Sequence, residues 1–218
     1  MKVLTAPSPK PIRLTLVALV AAISSGALML TVSRSADAQI IRSHADASAE
    51  QFVQTEAAKV IGVLNNHGMG LTAKKQMFRQ EIDHVADVPA ITRFVLGKYA
   101  RSVTGPQYAQ FAAAFREYGY DVYESRLSQY RGQRLNVTGS QARSANDVIV
   151  ASTIGGATTP VLWRLIRGPS GWRVVDVQVA SVWLAITEQQ DFVSTLDNAG
   201  GDVNVLIRQL RTQSARQG

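Results

Sequence analysis

The chain has 218 residues, 46% of them hydrophobic and 18% charged, a balance that excludes a disordered polyelectrolyte and leaves room for one domain with a sizeable core. Its formal charge of +7 suggests nucleic acid at first sight, but four basic residues and one acidic residue fall within the first 38, and the remainder carries 19 basic and 15 acidic residues, a mild +4. With no Cys, packing rather than a disulfide framework must hold the fold together.

Lys10 and Arg13 precede an apolar run over 14–32, followed by Ala36-Asp37-Ala38, the small-x-small pattern that a signal peptidase accepts. The pattern predicts an exported chain cleaved after Ala38, with 1–38 as signal peptide and 39–218 as a single mature domain. The run is also just long enough to span a bilayer of about 30 Å as an uncleaved anchor, although Ser24-Ser25-Gly26 weakens it. No later segment is suited to span a membrane.

Apolar residues at Val53, Ala57, Val60, Ile61 and Leu64 fall on one face of a helix over 48–64, with Ser48-x-x-Gln51 as a capping box. Thr72 can cap a second helix with Met77, Phe78 and Ile82 inward. Asp87-Val88-Pro89 starts a third, since proline is tolerated in the first turn, and it buries Ile91, Phe94, Val95 and Tyr99 before ending near Arg101. Thr104-Gly105-Pro106-Gln107 is the strongest helix start in the chain, and the helix it opens is expected to reach Tyr130. One stripe of that helix carries Tyr108, Phe111, Phe115, Tyr118 and Val122. A second carries Tyr120, Tyr123, Leu127 and Tyr130, with Ala109, Ala112 and Ala113 in the first half. A helix apolar on two faces is expected to be covered on both. Such a stripe is more often solid core than ligand wall, and periodicity alone does not separate the two.

After Gly132 the period changes to alternation, which predicts strands over 135–138, 148–154, 159–167 and 172–180 with turns at Ser144-Ala145-Asn146, Gly155-Gly156 and Gly168-Pro169-Ser170-Gly171. Short connections imply antiparallel neighbours. In the last strand Val175, Val177 and Val179 share one face, opposite Trp172, Val174, Asp176 and Gln178. Thr187-Glu188-Gln189-Gln190 resembles a capping box before Phe192, Val193 and Leu196, and Asp202 can cap a closing helix that buries Val203, Leu206, Ile207 and Leu210. The predicted class is α+β: helices packed on a four-stranded antiparallel meander.

Reactive chemistry is hard to place. There is no G-x-S-x-G elbow and no glycine-rich phosphate motif, and His44, His67 and His84 are scattered without metal-ligand spacing. Asn136-Val137-Thr138 reads as a coincidental sequon within a strand. Arg126, Arg131, Arg134 and Arg143 lie among tyrosines as on a single-strand platform, but an export signal argues against nucleic acid.

The stretch "ITRFVLGKYARSVTGPQYAQFAAAFREY", continuing through "YESRLSQYRGQRLNV", is similar to the MlaC, or toluene-tolerance, family of periplasmic phospholipid-binding proteins. The matching motifs are Leu96-Gly97-Lys98-Tyr99, the start at Thr104 and Gln107, Phe111 with Phe115, and Tyr130-Arg131-Gly132-Gln133, followed by "GWRVVDVQVASVWL" and "FVSTLDNAGGDVNVLIRQL". Two segments depart from the family pattern. Ala180-Ser181-Val182-Trp183-Leu184 stands where Glu-Gly-Val-Ser-Leu is common, and Gln190-Asp191 replaces the usual Arg before Phe192.

The resemblance implies a curved four-stranded sheet covered by helices, similar to the folds of nuclear transport factor two and the cystatins. It implies a monomeric, cofactor-free carrier with one phospholipid as cargo, docking transiently to an outer-membrane lipoprotein complex and an inner-membrane MCE-domain transporter to maintain lipid asymmetry. Joined to the helix stripe and the valine-bearing strand, it implies a pocket wall drawing on Val95, Tyr99, Phe111, Phe115, Tyr118, Val122, Trp163, Val175, Val177 and Val179. Two alternatives stand beside it. One branch of the family accompanies hopanoid production, and the bulk of Trp183 leaves a polycyclic lipid open. Folds of this kind also host isomerases with a buried carboxylate base, for which Asp176 is the candidate.

Overall fold

A computed structural model of the protein describes residues 41, 43–66, 68–127, 132–156 and 159–216. The leader with its cleavage site, His67, Tyr130 and Arg131 lie outside these residues, as do the side chains of Tyr123, Arg126 and Leu127.

Helix α1 (Ala47–Asn65) starts one step earlier than its sequence suggests, because Asp46 rather than Ser48 is the cap. Its Oδ1 accepts from the Ala49 amide at 2.9 Å and from the Ser48 hydroxyl at 2.6 Å, and these bonds hold the Asp46 carboxyl below its usual range. Helix α2 (Leu71–Val85) opens at Gly70 without a side-chain cap, so Thr72 does not serve; Phe78 is buried and Met77 turns outward. Helix α3 (Val88–Val95) begins as expected, with Asp87 accepting from the Ala90 amide at 3.0 Å and Pro89 in the first turn. It stops at Val95 rather than near Arg101. Gly97 takes a φ of 53° and the chain continues as a 3-10 turn over Gly97–Arg101, leaving Phe94 exposed.

In α4 (Gly105–Leu127) the Thr104 amide donates to Gln107 Oε1 at 3.0 Å and the Gln107 amide to Thr104 Oγ1 at 3.4 Å, closing the capping box. Its first stripe is covered by α5 (Leu184–Asn198) and α6 (Val203–Ser214), where Phe111 stacks on Phe115 at 5.8 Å and both rings meet the edge of Phe192. The expectation of two covered faces fails for much of the first half of α4, since Ala109 and Ala113 are exposed and Ala112 is only half-buried; it succeeds at Tyr120, which is buried.

The sheet has five antiparallel strands in the order β1-β2-β3-β4-β5: β1 (Leu135–Ser144), β2 (Asp147–Ile154), β3 (Val161–Gly168), β4 (Gly171–Val179) and β5 (Val182–Trp183). Strand β1 extends six residues beyond its predicted end, because a register shift between Val137 and Gly139 breaks the alternation that marks a strand. The fifth strand escapes sequence reading for another reason. Ala180 and Ser181 make a two-residue turn with φ of 48° and 66°, a conformation usually announced by Asn or Gly.

A second bulge alters the faces of β4. Arg164 pairs with Asp176 while Leu165 pairs with Val174, so Val175 is an extra residue and the parity of the strand reverses across it. Val174 and Val177 therefore join the same core cluster, contrary to the opposite faces that strict alternation predicts. Two cores result. One lies among α3 to α6 around Phe111 and Leu196; the other lies between α1 and the sheet around Val53, Val150 and Leu165.

Candidate functional site: an apolar cavity between two cores

The two cores do not meet. Between them lies a cavity of about 400 Å³, within the range of ligand pockets, walled by helices α1 to α5 and by the sheet. Its floor is set by parts of the chain that pack elsewhere. Phe111 ties α4 to α5, and Ala49 and Val53 tie α1 to the sheet, so the faces carrying Phe115, Tyr118 and Val122 on one side and Trp163 and Val177 on the other stand apart. Gly119, Ala57 and Ala185 contribute little side-chain volume to fill the gap.

Of the ten residues expected in a pocket wall, Val95, Phe115, Tyr118, Val122, Trp163, Val175 and Val177 line this cavity, and three sit away from it. Phe111 is fully buried in the helical core. Val179 is buried at the β5 end of β4, paired with Val161 and Val182. Tyr99 lies on the 3-10 turn, where its hydroxyl donates to Asp197. Much of the remaining wall comes from the first two helices, including Phe52, Val60, Leu64, Phe78 and Ile82, with further residues from α3, α5 and the sheet such as Ile91, Leu184 and Ile154. Helical periodicity does mark Val60, Leu64, Phe78 and Ile82 as inward, but it has no way to distinguish inward toward a core from inward toward a void.

The α2 side of the wall is held by polar contacts. Arg79 bonds Glu117 at 2.9 Å and also Glu124, lies 4.8 Å above the Tyr120 ring, and Lys75 pairs with Glu124 at 3.2 Å. Asp83 accepts from Arg116 and from the Tyr120 hydroxyl. Burial, aided by Asp83, pushes the Tyr120 phenol up to about 12.

Three acidic residues reach the cavity lining. Glu56 is paired with Lys59 at 2.9 Å. Asp176, the candidate base of an isomerase, accepts through Oδ1 from the Val177 and Ala185 amides, both at 2.8 Å. Burial raises its pKa and these amides oppose the rise. Its bonds thus serve the start of α5, which begins at Leu184 without a cap of its own; the expected box at Thr187 does not form, and the Thr187 hydroxyl donates instead to the Trp183 carbonyl at 2.9 Å. Glu188 is the third. It is 4% exposed, its Oε1 has no hydrogen-bond partner, and burial, with the charge of Asp191 adding, pushes its carboxyl up to about 8.

Among the described residues no three His, Asp or Glu side chains gather to hold a metal ion, and no helix is long and apolar enough to cross a membrane. His44 pairs with Glu50 at 2.8 Å, and His84 lies 4.0 Å from Glu56. Trp183 stands on β5 outside the cavity lining, so its bulk does not shape the space.

An antiparallel sheet roofed by helices here borders a partly open, almost wholly apolar cavity, the kind of site that suits an apolar molecule. The chain belongs to the MlaC protein family, which it matches over residues 54–212. Its fold is also similar to the solved structure of a phospholipid-binding protein from Ralstonia solanacearum in complex with a phospholipid, with a TM-score of 0.71 and 25% identity over 78% of this chain and 99% of that one. The family and the helix-covered antiparallel sheet are those that the sequence motifs imply, with β5 as the added strand.

Proposed function

We propose that the protein is an exported lipid carrier that shelters one phospholipid in the cavity and moves it between an outer-membrane lipoprotein complex and an inner-membrane MCE-domain transporter. In this reading residues 1–38 are the signal peptide and 39–218 the single lipid-binding domain, working in the periplasm as a monomer without catalysis or cofactor. The observation that carries it is the apolar void between two separately packed cores. Membership of the MlaC family and the phospholipid held by the Ralstonia neighbour support the same cargo class.

The energetics favour an enclosure. Exposing a methylene to water costs about 0.8 kcal/mol, so two acyl chains of about fifteen methylenes each would cost roughly 24 kcal/mol unshielded. A wall that needs only apolar surface supplies that shelter, and Asp176, committed to the Val177 amide of β4 and the Ala185 amide of α5, is read as a structural cap rather than a base.

Loading tests the proposal. Purified protein stripped of lipid, then incubated with liposomes carrying a fluorescent phospholipid and separated from them, should retain fluorescence. Phe115→Asp, which sets a carboxylate on the cavity wall, should fold by circular dichroism yet retain almost none. A folded variant that loads like the parent would place the lipid elsewhere.

A further inference from the structure

Among the described residues, Glu188 is the one acidic group in the cavity lining without a bonding partner for a buried oxygen. Glu56 has Lys59 and Asp176 has two amides, whereas Glu188 Oε1 has none. Its neighbours on α5 are engaged with the protein itself: Thr187 with the Trp183 carbonyl, and Gln189 with the Phe94 carbonyl at 2.6 Å. A buried oxygen left unpaired carries its full desolvation cost, so leucine would be the more stable occupant of this position.

We propose that Glu188 sorts cargo: its carboxyl hydrogen-bonds a hydroxyl borne on the apolar body of a lipid, so that the protein takes a hydroxylated lipid in preference to its plain counterpart. This rests on the carrier reading above and names the class of cargo within it. The chemistry follows from burial. A carboxyl whose pKa is pushed up to about 8 keeps its proton at neutral pH and then offers one O–H donor beside an acceptor oxygen. A hydroxyl reciprocates both roles. Plain hydrocarbon answers neither, and an ammonium group would demand the ionised form and the burial of two charges. The hydroxyl has two sources, a hydroxylated acyl chain or a hydroxylated polycyclic skeleton, and the same bond serves either.

The test is a competition. Purified protein is incubated with phosphatidylglycerol vesicles containing equal amounts of a stearoyl phospholipid and its hydroxystearoyl analogue, hydroxylated near the ester or at mid-chain. A second vesicle set carries a plain and a hydroxylated polycyclic lipid. Lipids bound to the protein are then extracted and counted by mass spectrometry. One net hydrogen bond predicts enrichment of the hydroxylated member by about threefold to tenfold in one of the sets, and that set identifies the source. Glu188→Leu should bring the ratio to parity while still loading the plain lipid, and Glu188→Gln, which keeps a donor and an acceptor, should retain most of it. Parity in both sets with the parent protein, or enrichment surviving Glu188→Leu, overturns the assignment while leaving the carrier intact. Failure of the parent protein to load any lipid overturns both.

Discussion

Replacing Glu188 by Gln removes a titrating group from the cavity while keeping its size. In the folded protein this carboxyl titrates at about 8, against an ordinary value of 4.5. The fold therefore binds the proton more tightly than the unfolded chain does. The stability linked to this group is fully present below about pH 4.5 and is lost as pH rises, the loss being complete above about pH 8. At about 1.4 kcal/mol per pH unit, the whole loss amounts to about 5 kcal/mol, with about 3 kcal/mol already gone at about pH 7. Asp176 and Asp191 are also raised by burial, but both proteins carry them, so they cancel in the comparison. Urea unfolding followed by tryptophan fluorescence, on lipid-free protein because bound cargo stabilises the fold, gives the two stability curves. Relative to Glu188→Gln, the parent protein should weaken steadily from about pH 5 to about pH 8. A constant difference across that range would mean that the carboxyl is solvated and titrates in the folded protein as it does in the unfolded chain.

Other residues give sharper local tests. Asp176→Ala removes the acceptor that caps α5 from β4 and should cost about 1–2 kcal/mol in urea unfolding while lipid loading persists; loss of loading with unchanged stability would contradict the capping role. Gly97→Ala places a Cβ 2.7 Å from Val193 Cγ2 at a φ of 53°, so it should destabilise by about 1–3 kcal/mol, and an unchanged melting temperature would show that the turn after α3 relaxes freely. Arg79→Met cuts the polar seam between α2 and α4, and hydrogen exchange along α2 should quicken while the sheet is unaffected; equal protection of α2 would show that apolar contacts hold it.

What could be read from the residues is what local chemistry decides. Asp87-Val88-Pro89, the Thr104 and Gln107 pair, and Asp202 each satisfy orphan amides within one helical turn, and the sequence marks their helix starts correctly. The errors come from longer-range causes. Asp176 caps a helix that begins eight residues later in the chain, so α5 starts ahead of the Thr187 box. Bulges at Val175 and near Gly139 break the period of two, and Ala180 with Ser181 turns without a glycine. The cavity is a property of two cores that fail to touch, and no one-dimensional period encodes an empty space. Glu188 was equally hidden, since in sequence it reads as a polar residue of a capping box.

Whether the cavity holds a lipid can be read from the intact mass of the protein purified under native conditions from the cell envelope. The expected species is a complex of one chain with one phospholipid, which organic extraction then releases in about equal molar amount. A bare chain whose extract contains no lipid, and which stays bare after exposure to liposomes, would contradict it.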